Sequence, residues 1–474
     1  EITVELSNLP QAVAVVRIPA WTPGSYKIRE FARNVSRMSA HTPSGKPLPV
    51  RQLDKDSWQI AVGDGRAAVL RYRLYGFEFS VRTPHVDDQH AFFLPSNALP
   101  FLEGHLDAPS TLEIRPWGNW RVACPLPRVK GRTNTFYAKD YDWLADSPVQ
   151  CADHETRTFV VDGIHHEIVL YGFGHPGIDL MARDFPAIVK ASKAIFGGKL
   201  PYENYTFFIQ CLPNQRGGLE HLNSQVSQFA SWDFSDRERY EDFLSLISHE
   251  FFHAWNVKRL RPIALGPFDY SRENYTESLW VSEGLTTYYE WIILSRAGLV
   301  TPERVLKAWA KDLNRWAFRP GNDVMSVKLS SFLAWTKLYL PDENSINTMV
   351  SYYLKGQLVG LLMDLEIRKR TKNKRSLDDV MRIAHDRYGY PKPGFPEGAF
   401  EDTVAEVAGG KWKEWFAYHL DGTGPLDFDT ALRSAGLVLE RPPVEELLAD
   451  GSKRKRSSKA WLGVETDDLS GKNV

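Results

Sequence analysis

Cysteine is nearly missing: Cys124, Cys151 and Cys211 are the only three in 474 residues. That excludes a disulfide framework and any cysteine-rich zinc module. A lone Cys124–Cys151 bridge is the one pairing to weigh, and three free thiols are expected instead. Excess charge is missing too. The 58 Lys and Arg offset 59 Asp and Glu to a net charge of -1, which gives no reason to expect nucleic acid or an anionic membrane as partner. No apolar run reaches membrane-span length, and no stretch reads as a signal peptide. No internal repeat is present. The chain opens at Glu1, so the compartment stays open: periplasmic or secreted if Glu1 is a mature N-terminus, cytoplasmic otherwise. Nothing in the sequence sets the oligomeric state.

What remains is the composition of a soluble globular protein, 43% hydrophobic and 25% charged, over a length that calls for two to four domains. The pattern predicts a multidomain α+β chain. Residues 1–160 read as an all-β domain, with alternation at Ile2–Leu6, a Val-rich run at Ala12–Ile18, and further strands at Ala68–Leu74 and Thr111–Ile114. The grammar changes in 161–298. A strand at His166–Tyr171 is followed by a helix over Ile178–Phe196 and a strand at Tyr205–Leu212. A turn at Gly217-Gly218, a strand near Gln225–Phe229, and helices at Glu241–Trp255 and Glu277–Ala297 come next. Residues 299–445 read as helical, through Glu303–Arg315, Met349–Arg370, Leu377–Tyr388, Phe400–Val407 and Lys411–Leu420. Residues 446–459, with the basic run Lys453–Lys459, read as a solvated linker. A new strand opens at 460–474.

The chemistry lies in His249-Glu250-Phe251-Phe252-His253, on the helix Glu241–Trp255. Histidines four apart share one helical face, so both imidazoles can hold one Zn²⁺. Glu250 projects close by, where its carboxylate can act on water without ligating the metal. Chance alone would place H-E-x-x-H in roughly 2% of such chains, so the motif needs support. Hydrolytic zinc takes a third protein ligand and keeps a fourth position open. Glu283, in Leu279-Trp280-Val281-Ser282-Glu283-Gly284, is flanked by apolar residues, a costly setting for an unpaired carboxylate. It is favoured over Glu273 and Glu277, which sit in a more polar stretch and stay open as alternatives. No third histidine follows at H-E-x-x-H-x-x-G-x-x-H spacing, which excludes that class.

Three further motifs share the order of the aminopeptidase N superfamily: Gly217-Gly218-Leu219-Glu220-His221, then Leu279 to Gly284, then Tyr353-Leu354-Lys355-Gly356. The chain resembles one branch more closely, the glycyl aminopeptidase family with a C-terminal PDZ domain. The likeness rests on Pro19-Ala20-Trp21-Thr22-Pro23-Gly24-Ser25-Tyr26, on His249 to Pro262, on Ser351 to Gly356, and on Trp461-Leu462-Gly463-Val464, which is similar to the opening strand of a PDZ domain. The resemblance implies a thermolysin-like α/β catalytic domain and one Zn²⁺ per chain held by His249, His253 and Glu283. It implies Glu250 as general base, Tyr353 as transition-state stabiliser, and substrate contacts from Gly217, Gly218 and Glu220. It further implies an aminopeptidase acting on peptides with a free N-terminus that begin with a small residue, Gly or Ala. His221 departs from the superfamily's Asn, and the spacing from His253 to Glu283 is longer than in aminopeptidase N itself. A carboxylate such as Glu220 suits a free α-ammonium by charge-assisted hydrogen bonding. A zinc endopeptidase on the same site, or a catalytically idle peptide-binding protein, are the competing readings.

Overall fold

The computed structural model describes residues 1–440 except 176 and 235, together with two strands at Val444–Leu447 and Lys453–Arg456. Ile2–Leu6 half-buries Ile2, Val4 and Leu6 and exposes Thr3 and Glu5, the pattern of a strand covered on one face. It edges an antiparallel sheet with Ala68–Leu74, Val35–His41 and Pro47–Leu48. A second sheet orders Phe101–Leu102, Val13–Arg17, Ser57–Ala61 and Val50–Gln52. Val16, Ile60 and Leu70 form a shared core between the two. A third orders Arg121–Ala123, Val149–Ala152, His90–Phe93 and His85–Val86. The region is β-rich rather than all-β. Short helices at Pro95–Ala98 and Tyr141–Ala145 interrupt it, started by proline at the first turn and by Asp140 accepting from the Trp143 amide, both local N-terminal signals. All three cysteines are free.

A five-stranded sheet carries the site. Its strands are β1 (Glu155–Val161), β2 (Ile164–Gly172), β3 (Asn204–Leu212), β4 (Gly217–His221) and β5 (Ser224–Ala230), in the order β1-β2-β3-β5-β4. The central three run parallel, and β1 and β4 are antiparallel edges. After Asn204, every residue of β3 is buried, as a parallel strand covered on both faces must be. Helix α1 (Ile178–Ile195) crosses from β2 to β3. Helix α2 (Arg237–Phe252) packs on β4, β5 and α3 (Leu285–Arg296), and α4 (Tyr352–Thr371) packs on α3. Among the described residues no helix is long and apolar enough to cross a membrane.

The Pro19–Tyr26 loop of the N-terminal region enters the core that packs around the five-stranded sheet. Trp21 is fully buried, its ring edge-on to Trp335 at 5.0 Å and to Phe268 at 5.7 Å, and its indole N–H donates to the Asp269 carbonyl at 2.8 Å. A buried tryptophan with a satisfied N–H is a strong anchor between units.

Five local expectations change. The turn expected at Gly217-Gly218 lies earlier, at Pro213-Asn214, where Asn214 takes the positive φ of 55°. Asparagine tolerates that conformation, so the two glycines are free to open β4. The helix expected from Glu241 starts at Arg237, because Asp236 accepts from the Arg239 amide as N-cap. It ends at Phe252, which leaves His253 as its C-cap. The helix expected over Glu277–Ala297 begins as a π-turn, Trp280–Gly284, before α3. Lys411–Leu420 splits into Lys413–Phe416 and a second π-turn at Ala417–Asp421. Where the helical domain was expected to end and the linker to begin, Val444–Leu447 pairs antiparallel with Lys453–Arg456. The expected PDZ strand at 460–474 lies outside the described residues.

Candidate active site

Helix α2 delivers His249 and Glu250 in its last turn and His253 just beyond. The π-turn delivers Glu283. His249 Nε2 lies 3.5 Å and His253 Nε2 3.2 Å from the same Glu283 Oε2, and one ligand atom from each of the three falls within 4.8 Å of the others. All three residues are buried. Glu277 is exposed and Glu273 half-exposed, and neither joins the cluster.

Each imidazole is aimed by its other nitrogen. His249 Nδ1 lies 3.0 Å from Glu290 Oε2, and His253 Nδ1 lies 2.6 Å from the Asn256 carbonyl. The Nδ1 contact fixes each ring so that its Nε2 points at Glu283 Oε2, the usual way a protein orients histidine ligands. The Asn256 side chain donates to Val281 O at 2.8 Å and to Ser282 O at 3.2 Å. It thereby ties the turn after α2 to the π-turn that holds Glu283. A π-turn inserts one extra residue per turn and re-aims the side chains it contains.

Two glycines bring the fourth element in. A Cβ on Gly284 would lie 2.6 Å from Gly356 Cα, and one on Gly356 would lie 2.9 Å from Gly284 Cα. The π-turn and α4 therefore meet backbone to backbone, which explains glycine after Glu283 and after Lys355. The contact sets Tyr353 beside the site, its ring 6.3 Å from that of His249. Burial first, and then the Glu283 charge, push the Tyr353 hydroxyl pKa well above its ordinary value, so the phenol stays protonated and can donate. Its hydroxyl lies 3.2 Å from that of Tyr339. Tyr352 is fully buried and its hydroxyl has no partner.

Strand β4 forms the other wall. A Cβ on Gly218 would lie 1.8 Å from Glu250 Oε1, so the Glu250 carboxylate occupies the space where a side chain at 218 would be. Burial raises the Glu250 pKa, against the pull of His249 and His253. Burial also opposes ionisation of Glu283, but the two histidines prevail and hold its pKa low. Glu220 is 3% exposed, and its Oε1 is buried without a partner. Glu220, Glu250 and His253 also lie within 4.8 Å of one another. Gly24, at φ 84°, sits over Glu220, because a Cβ there would lie 2.7 Å from both carboxylate oxygens. Gly217 begins β4 and flanks Arg82. His221 turns away: its Nδ1 lies 3.0 Å from Asp146 Oδ1, an oxygen that also accepts from Lys258 at 2.8 Å.

The donor set, two imidazoles and one carboxylate with aimed nitrogens, fits zinc. The site thus brings together His249, Glu250, His253, Glu283, Tyr353, Gly218 and Glu220. The sequence reading missed Glu290, Asn256, Gly24, Arg82 and Tyr339. Glu290 had a signal: it follows Glu283 by seven residues, two helical turns, in an apolar setting. Gly24 and Arg82 act across long sequence separations that no periodicity marks.

Fold and site together point to a metallopeptidase. The M61 glycyl aminopeptidase model matches residues 242–359, and the peptidase M61 N-terminal domain model matches residues 1–153. The crystal structure of an aminopeptidase N family protein from Idiomarina loihiensis is similar over 96% of this chain and 79% of that one, at 30% identity and a TM-score of 0.89. The chain belongs to the peptidase M61 family. An M1 zinc metallopeptidase from Deinococcus radiodurans is similar over 90% of both chains at 14% identity and a TM-score of 0.50. A two-domain M1 zinc metallopeptidase mutant bound to L-arginine covers the same shares at 14% identity and 0.52. These last two speak to the fold. No match was found among curated proteins.

Proposed function

We propose that the protein is a zinc-dependent aminopeptidase that releases a small N-terminal residue, Gly or Ala, from peptides. The observation that carries this reading is the buried Glu220 carboxylate, with one unpartnered oxygen, beside Glu250 and His253. A buried carboxylate without a partner is costly, and a substrate α-ammonium would satisfy it. His249, His253 and Glu283 would hold one zinc ion per chain, in a thermolysin-like catalytic domain over 161–298 with the helical domain 299–445 behind it. The ion would polarise the scissile carbonyl and lower the pKa of water toward ~7.

This chain's own groups do the rest. Glu220 binds the ammonium and fixes the N-terminus. Gly24 lies close over Glu220, so bulk at the first residue is disfavoured. Gly218 leaves room for the Glu250 carboxylate, which takes the proton of the attacking water and returns it to the leaving amine. Tyr353 donates to the oxyanion of the tetrahedral intermediate.

The test is a panel of aminoacyl chromogenic amides with and without a zinc chelator, alongside free and N-acetylated peptides. Chelator-sensitive cleavage of Gly and Ala amides, with acetylated peptides resistant, is expected. Equal cleavage of free and acetylated peptides would make it an endopeptidase on the same site. No bound zinc and no cleavage would leave the idle peptide-binding protein.

A further inference from the structure

Two arginines beside the cleft, Arg82 and Arg29, form no ion pair among the described residues. Arg82 donates from Nη2 to the Gly218 carbonyl at 2.9 Å, and its Nη1 would lie 3.7 Å from a Cβ on Gly217. Arg29 donates from Nη2 to Ser25 Oγ at 2.9 Å, one residue from the Gly24 that covers Glu220. Neither forms an ion pair with a carboxylate among the described residues, and the Nε of each is buried without a partner. Burial, and then the Arg82 charge, lower the Arg29 pKa. Glu78, the one carboxylate that opposes this, is exposed. The Arg82 loop is rigid. Val81 packs in the core with Leu219, Phe208 and Val226, and the Arg82 amide donates to Ser80 Oγ. Two like charges near enough to repel, in a partly desolvated wall, are destabilising unless an anion joins them.

Their position along β4 says which end of a substrate meets them. Glu250 lies under Gly218, and Glu220 is two residues further on, about 7 Å along a strand. A peptide with its ammonium on Glu220 and its scissile carbonyl near Glu250 sends its leaving portion toward Gly217 and Arg82. Resting on the aminopeptidase reading above, we propose that Arg82 and Arg29 form a carboxylate subsite on the leaving-group side of the cleft. The subsite takes the C-terminal carboxylate of a short peptide or an acidic side chain at the same place. Guanidinium pairs suit carboxylates by forked, charge-assisted hydrogen bonds. The enzyme would then favour peptides a few residues long with a free C-terminus.

The test compares kcat/KM for Ala-Ala, its C-terminal amide, and the amides of Ala-Glu and Ala-Gln. The parent, Arg82→Gln and Arg29→Gln are assayed, with melting temperatures to verify folding. The parent should prefer Ala-Ala over its amide by about tenfold or more, mostly through KM. Either variant should shrink that preference several-fold. Arg29→Gln serves as the second variant because Arg82 also braces β4. Preference for the Ala-Glu amide over the Ala-Gln amide would assign the subsite to an acidic side chain. A parent that distinguishes neither pair, or variants that keep the parent's ratios, would overturn the proposal. Failure of the aminopeptidase reading shows separately, as equal cleavage of free and N-acetylated peptides, while the carboxylate-to-amide ratios remain measurable.

Discussion

Gly218→Ala tests the geometry of the site without touching any chemical group. The new Cβ would lie 1.8 Å from Glu250 Oε1, 2.3 Å from Cδ and 2.6 Å from Cγ. Backbone φ is not in the left-handed region at Gly218, so alanine meets no backbone strain there. The only thing that must move is the end of the Glu250 side chain, by an ångström or more. That motion is cheap for folding and expensive for catalysis. A misplacement of about 1 Å costs on the order of 10²-fold, and full loss of a general base costs 10²–10⁴-fold. Gly218→Ala should therefore lose about 10²–10⁴ in kcat while binding the parent's complement of zinc, with a melting temperature within a few degrees. Gly217→Ala is the control: its nearest neighbour would be Arg82 Nη1 at 3.7 Å, ordinary contact, and kcat should stay within a fewfold. The assay is steady-state hydrolysis of an alanyl amide beside metal analysis of each purified variant. Gly218→Ala with kcat near the parent's would mean that Glu250 does not act from the place the structure gives it.

Three further outcomes are expected. Glu283→Ala should lose bound zinc and Glu277→Ala should keep it, with Glu290→Gln weakening zinc affinity by about 10–100-fold through His249; a Glu277 variant that loses metal would refute the ligand set. Tyr353→Phe should cost roughly 10²–10³ in kcat, whereas the same change at Tyr352, whose hydroxyl has no partner, should cost little. Lys355, pulled down to about 8 by burial, carries a charge that the folded state disfavours below that pH and that the unfolded chain keeps until about 10.4. Its contribution to stability therefore rises with pH between those values. Lys355→Met should be more stable than the parent at pH 7, by up to about 3 kcal/mol, with the advantage fading toward pH 10 in denaturant titrations.

Residue type and local spacing made part of the site legible before any coordinates. His249, Glu250 and His253 were legible because a helix converts spacing four into one face. Glu283 was legible because an ionisable group amid Leu279, Trp280 and Val281 needs a partner. What periodicity cannot carry is contact between segments far apart in sequence. Arg82 reaches Gly218 across 136 residues, and Gly24 covers Glu220 across nearly 200. Local conformation misled in the same way. The helical pattern from Glu277 onward is genuine, yet the chain forms a π-turn where Glu283 must face two imidazoles. The Gly217-Gly218 pair looked like a turn, because glycine most often marks a positive φ. Here the demand on Gly218 is steric instead, set by a carboxylate 32 residues later in the chain.

The same two glycine contacts show why the motifs travel together. Gly218 exists for Glu250, and Gly284 with Gly356 exists so that the turn holding Glu283 can touch the helix holding Tyr353. Gly218 leaves the space that the Glu250 carboxylate fills, whereas Gly284 and Gly356 let two backbones touch. The four motifs are therefore mutually dependent parts of one packing solution. A substitution at Gly218 should displace only the Glu250 side chain, whereas one at Gly284 or Gly356 should push two backbones apart and cost stability as well.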